Sequence, residues 1–168
     1  DSLGSYSVAV RLTEYVTIIP LALSASILPL MSKYHEGSKE LFTKIYQLSY
    51  KYLIILGVYI AMCLTVFSKT VIIFLYGKQY LSSYAVLSVL AWAVVFVFIG
   101  VLNQVVLVSI EKLRVCLFCS FIAAILNIAL NLVLIPRYSF FGAGIATLLS
   151  YGASAVVVCF IPSIRAYF

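Results

Sequence analysis

Residues 79–110 read QYLSSYAVLSVLAWAVVFVFIGVLNQVVLVSI, thirty-two positions without one Asp, Glu, Lys, Arg or His. As an α-helix they would extend about 48 Å, more than the ~30 Å of a bilayer's hydrocarbon core. A membrane barrel strand would alternate polar and apolar residues over about ten positions, and this run does not alternate. In lipid, a continuously apolar segment must satisfy its backbone polar groups internally, which leaves the helix. We therefore read 81–110 as one long, tilted span, with Gly100, Asn103 and Gln104 in its second half.

The same reading extends outward in both directions. Lys78 precedes the run, and Glu111, Lys112 and Arg114 follow it as a tight connection. Beyond them, 115–135 forms a further span ended by Pro136 and Arg137, and 141–161 forms another, entered at Gly142 and ended by Pro162 and Arg165. Upstream, 6–32 reads as the first span, with Pro20 and Pro29 inside it and kinks or a break expected there. The second covers 52–76, with Lys69 snorkelling to headgroups and Gly77 ending the helix. Between these two, 33–51 carries Lys39, Glu40, Lys44 and Lys51, with Leu41, Ile45 and Leu48 at helical spacing. That pattern predicts a short amphipathic helix on the membrane surface.

Composition agrees with about five spans. Of the 168 residues 65% are hydrophobic and 10% charged, with a mean hydropathy of +1.18. Soluble domains are nearer 45–50% apolar and about 25% charged. The net charge of +6 does not point to nucleic acid, because the basic residues are scattered among connections with no stripe of basic and aromatic residues. They are biased instead to one side. Lys33, Lys39, Lys44, Lys51, Lys112, Arg114 and Arg165 fall on one side, against Lys69, Lys78 and Arg137 on the other. Seven against three places 33–51 and the C-terminus on the cytoplasmic side of a multi-pass membrane protein.

Few side chains offer chemistry. Cys63, Cys116, Cys119 and Cys159 all lie in apolar runs, and Cys116 with Cys119 forms a C-x-x-C without a second pair. The only histidine, His35, is remote, so the cysteines read as packing residues, and no metal or cofactor is expected. Asp1 is the only aspartate, and no nucleophile–base set or carboxylate pair occurs, so no catalytic residue is expected. Arg11 and Glu14 are the ionisable pair at membrane depth. At i, i+3 they either neutralise one another, or Arg11 faces a cavity and binds an anion with Glu14 as counter-charge or proton site. Asn127 and Asn131, at i, i+4, either bond between helices or line a hydrophilic path. Asn103 and Gln104 are adjacent and point apart, so at most one is expected to face a cavity.

The stretch Asn127-Ile-Ala-Leu-Asn131-Leu-Val-Leu-Ile135-Pro136-Arg-Tyr138-Ser-Phe-Phe-Gly142-Ala-Gly144-Ile-Ala146-Thr147 resembles a recurring segment of Wzx-type polysaccharide flippases, in the multidrug/oligosaccharidyl-lipid/polysaccharide superfamily. Gly4-Ser-Tyr6-Ser-Val-Ala9-Val-Arg11-Leu12, Leu75-Tyr76-Gly77 with Tyr80, and the linker 33–51 are similar to other parts of that family. Ser139 departs from it, standing where a glycine is usual.

The resemblance implies an all-α, polytopic transmembrane bundle, most of the second six-helix bundle of a MATE-like transporter fold. It also implies that an N-terminal helix bundle is missing, in keeping with a chain that opens on Asp1 with neither an initiator methionine nor a leader. The implied activity is alternating-access flipping of an undecaprenyl-pyrophosphate-linked oligosaccharide, for O-antigen, capsule or exopolysaccharide. The implied partners are that glycolipid and membrane lipids. Arg11 would face pyrophosphate, and Asn127, with Asn103, would contact sugars. The other readings are a multidrug or cation-coupled exporter of the same superfamily, and a non-transporting scaffold or remnant.

Overall fold

Turns apart, the chain is helical throughout residues 2–159, which a computed structural model describes without the side chains of 2, 3, 5, 36 and 159. Pro162 and Arg165, the end of the expected span 141–161 and the C-terminus lie outside the described residues. The elements are α1 (Ser2–Gly37), α2 (Lys39–Val66), α3 (Ser68–Tyr76), a 3-10 turn (Lys78–Tyr80), α4 (Ser83–Ser109) and α5 (Leu113–Cys159). Among the described residues four helices are long and apolar enough to cross a membrane. Large apolar side chains cover the outside, Phe74 being 86% exposed and Leu132 72%. A surface of that kind is stable against lipid, not water.

α4 is the centre of the bundle. Fourteen of its 27 residues are buried, and α1, α2, α3 and α5 all pack on it. One core cluster joins Met31, Phe42, Tyr46, Leu53, Phe98, Leu107 and Ile110; the other joins Val8, Leu12, Ile72, Val86 and Leu90, with Tyr76 and Phe140 against it. The start of α1, the end of α3 and residue 140 therefore sit at one end of the molecule. The α1–α2 and α4–α5 connections sit at the other, as antiparallel neighbours require.

α1 passes through Pro20 and Pro29 without a break. The connection expected over 33–51 is not a separate surface helix. Its residues are shared between the end of α1 and the start of α2, with Ser38 alone between them. The Ser38 side chain caps α2 by accepting from the Leu41 N–H at 3.4 Å, while its own N–H donates to the Tyr34 carbonyl at 3.0 Å. Leu41 and Leu48 are exposed as the spacing predicts, yet Phe42 and Tyr46 on the adjacent face are fully buried. That second apolar face packs the segment into the protein and makes it continuous with the span. The span expected over 52–76 breaks at Phe67 (φ −95°, ψ 10°), where α2 gives way to α3. Lys69 is exposed, with Nζ 4.8 Å from the centre of the Tyr84 ring.

The reversals at Gly77, Glu111 and Ser139 use positive φ. Gly77 ends α3 at φ 89°, a value glycine adopts without steric cost. Glu111 takes φ 59° after α4, and the Lys112 N–H donates to the Leu107 carbonyl at 2.8 Å. This is the 6→1 bond of a Schellman cap formed without glycine.

Ser139 (φ 54°, ψ −137°) interrupts α5 and turns it into a helical hairpin. A Cβ on Gly142 would lie 2.3 Å from the Leu134 carbonyl oxygen, and Asn127 Nδ2 donates to Ser150 Oγ at 3.3 Å. In a straight helix residues 127 and 150 would stand about 35 Å apart. The two arms of α5 therefore run antiparallel, and with α1, α2–α3 and α4 the bundle has five passes.

Candidate functional site

Two segments of opposite character create the site. On α4, Val97, Gly100, Val101 and Gln104 recur at helical spacing, and Gly100 leaves open space where a side chain would stand. On the first arm of α5, Cys116, Cys119, Ser120, Ala123, Ala124 and Asn127 follow the i, i+3, i+4, i+7 rule, all small or polar. On the second arm Thr147, Ser150, Tyr151 and Ser154 do the same. Small residues commonly let membrane helices approach closely. Here the three stripes instead border a partly open cavity of about 510 Å³ between α4 and the α5 hairpin.

Asn103 lines the cavity and is 1% exposed. Its Oδ1 accepts from the Tyr46 hydroxyl at 3.4 Å, tying α4 to α2, and its Nδ2 has no partner. Gln104 lines the cavity as well. The expectation that at most one of this adjacent pair faces a cavity is thus corrected. Successive helical residues are only 100° apart, and the cavity is wide enough for both.

Asn127 stands on the opposite wall in a chain of polar contacts. Asn131 Nδ2 donates to Asn127 Oδ1 at 2.9 Å, Asn127 Nδ2 to Ser150 Oγ, and Ser150 Oγ to the Ala146 carbonyl at 2.7 Å. Asn131 itself is not among the lining residues, and its Oδ1 is buried without a partner. Asn127 therefore bonds between the arms and also borders the cavity, while Asn131 bonds to it along the first arm.

Arg11 and Glu14 lie elsewhere. The protein-facing stripe of α1 contains Ala9, Pro20, Ser24 and Met31, all buried, while Arg11 and Glu14 are exposed on the opposite flank. Among the described residues no ion pair joins them. Asn103 and Asn127 are thus brought to one cavity, Asn131 is linked to it, and Arg11 and Glu14 form a separate open face.

Ser120, Thr147, Ser150, Ser154, Cys116 and Cys119 are further lining residues that the expected site did not include. Their signal was helical spacing of small polar residues on two consecutive spans, which becomes a site only once the hairpin aligns them. Among the described residues no three of His, Cys, Asp and Glu come together as a metal would need. Among the described residues no charged side chain lines the cavity. Its chemistry is that of amides and hydroxyls, set in apolar and aromatic walls that include Phe96 and Tyr151.

Comparison with known proteins adds two findings. The MatE family pattern matches residues 1–133 of this chain. The capsular polysaccharide biosynthesis protein CapF of Staphylococcus aureus is 25% identical over 157 residues, covering 88% of this chain and 39% of that relative. The chain thus spans well under half the length of the curated relative that it matches.

Proposed function

The chain belongs to the MatE family, and from that premise we propose that it is part of a transporter moving isoprenoid-pyrophosphate-linked oligosaccharides across the cytoplasmic membrane by alternating access. The observation that carries the reading is a partly open cavity whose apolar walls carry amides and hydroxyls and, among the described residues, no charge, in a bundle whose outer surface is apolar. A glycolipid carrier needs both, a wet path for sugars and a lipid-accessible exterior for the tail. The likeness to a protein of capsular polysaccharide biosynthesis supports the same substrate class.

The anionic end of such a substrate requires a cation, and Arg11, exposed on α1, is the candidate. Its flank would complete a cavity against a second helix bundle supplied by the rest of the protein. The lysine-rich end at 33–51 would face the cytoplasm, where the substrate is made. A cation-coupled drug exporter is less well supported, because among the described residues no carboxylate lines the cavity.

Reconstitution of the complete protein with a fluorescent isoprenoid-pyrophosphate glycan tests the proposal. Transbilayer movement of the glycolipid is expected. Replacing Arg11 with Ala should slow it by about tenfold or more, the scale of one lost charge-assisted contact, with partial recovery in Arg11→Lys. Normal transport by Arg11→Ala would remove Arg11 from substrate binding, and no movement of any such glycolipid would overturn the substrate class.

A further inference from the structure

The cavity between α4 and the α5 hairpin is partly open, is lined by residues of this chain, and differs in chemistry from the Arg11 face. We infer that it is a binding site for one uncharged, hydroxyl-rich group, and, resting on the proposed function for its identity, for a single sugar unit of the glycolipid.

Four observations lead there. First, Asn103 is fully buried, yet its Nδ2 has no acceptor, although its Oδ1 is held by Tyr46. Buried amide groups are ordinarily paired, so a donor held in place by its other half at a cavity wall, with no acceptor among the described residues, marks the place of a ligand acceptor.

Second, the cavity holds about 510 Å³, many times the ~30 Å³ share of one water and within the ~300–1,000 Å³ of small-molecule sites. Third, among the described residues no Asp, Glu, Lys, Arg or His lines it. An ion there would lie at membrane depth without a counter-charge, so the occupant is neutral. Lipid tails fit the size but leave the amide unpaired.

Fourth, the polar groups divide into two kinds. Asn127 and Ser150 are bonded to one another across the hairpin and fix the wall. Gln104 and Ser120, both exposed and lining the cavity, offer further donors and acceptors beside the open Asn103 amide. A hydroxyl both donates and accepts, which suits such a mixed set, while the ring of Tyr151 offers a face to the apolar side of a sugar.

Cys116 lines the same cavity and is half-buried, which supplies a reporter. The experiment uses the complete protein in nanodiscs with Cys63→Ser, Cys119→Ala and Cys159→Ser, and measures the rate at which a small maleimide modifies Cys116. The probes are free glucose, galactose, mannose and their N-acetylated amino-sugar counterparts, with inorganic pyrophosphate as the anionic control.

At least one neutral sugar should slow modification by about threefold or more, following its occupancy, and pyrophosphate should not. Gln104→Ala, at an exposed position that leaves the core intact, should lower that protection, as should Asn103→Leu. Failure of every sugar to protect, equal protection by pyrophosphate, or full protection in both variants would overturn the site. Glycolipid flipping without sugar protection would sink this inference alone. Sugar protection without glycolipid flipping would sink the proposed transport alone.

Discussion

Ser139 holds φ 54° and ψ −137°, values close to those of the first central residue of a type II′ turn, where glycine is preferred. A side chain there costs roughly 1–3 kcal/mol, and glycine removes most of it at some entropic expense. Ser139→Gly should therefore raise the stability of the protein in detergent by about 1 kcal/mol, read as a higher midpoint of thermal unfolding. Gly142 is the opposite case. An added Cβ would meet the backbone carbonyl of Leu134, and backbone cannot yield as a flexible side chain would. Gly142→Ala should lower the same midpoint by an amount equivalent to about 1–3 kcal/mol. The turn was legible in the sequence, because Pro136 and the serine in a glycine's place both mark a reversal. The role of Asn103 was not. Its burial and its open donor depend on Tyr46, 57 residues away, and no local spacing encodes that partnership.

Among the elements, the passes followed from hydropathy because lipid imposes one solution on long apolar runs. Their joints did not. The segment 33–51 carries an amphipathic pattern that a surface helix and the first turns of a longer helix share. Burial of Phe42 and Tyr46 against α4 decides for the longer helix. The break at Phe67 has no proline or glycine to announce it. The α5 hairpin can be tested directly. With the native cysteines removed, Asn127→Cys together with Ser150→Cys should form a disulfide under mild oxidation, detected as a mobility shift reversed by reductant. Asn127→Cys paired with Ala155→Cys should not cross-link. A continuous helix would keep 127 and 150 about 35 Å apart and give no cross-link in either protein.

For the whole molecule, five antiparallel passes place the Ser38 and Glu111 connections at one end and the Gly77 and Ser139 turns at the other. The basic residues separate accordingly. Lys33, Lys39, Lys44, Lys112 and Arg114 gather toward the first end, with Lys78 and Arg137 at the second. In sealed cells expressing the complete protein, an impermeant thiol reagent should modify Lys78→Cys, whereas Lys44→Cys should react only after the membrane is opened. The reverse pattern would invert the proposed orientation. What composition could not convey is that α4 is the shared partner of every other helix, since its uniformly apolar sequence has no face that ranks one neighbour above another.

The bond between Asn127 and Ser150 also bears on how the chain is made. During synthesis the first arm of α5 leaves the ribosome before the second exists, and its two asparagines would meet lipid bonded only to one another. Delivery of both arms together lets the amides find the serine before they leave the translocon. A nascent chain ending near residue 145 should therefore insert its last arm less efficiently than one reaching residue 159, measured by alkaline extraction of the membranes. Asn127→Leu with Asn131→Leu should abolish that difference.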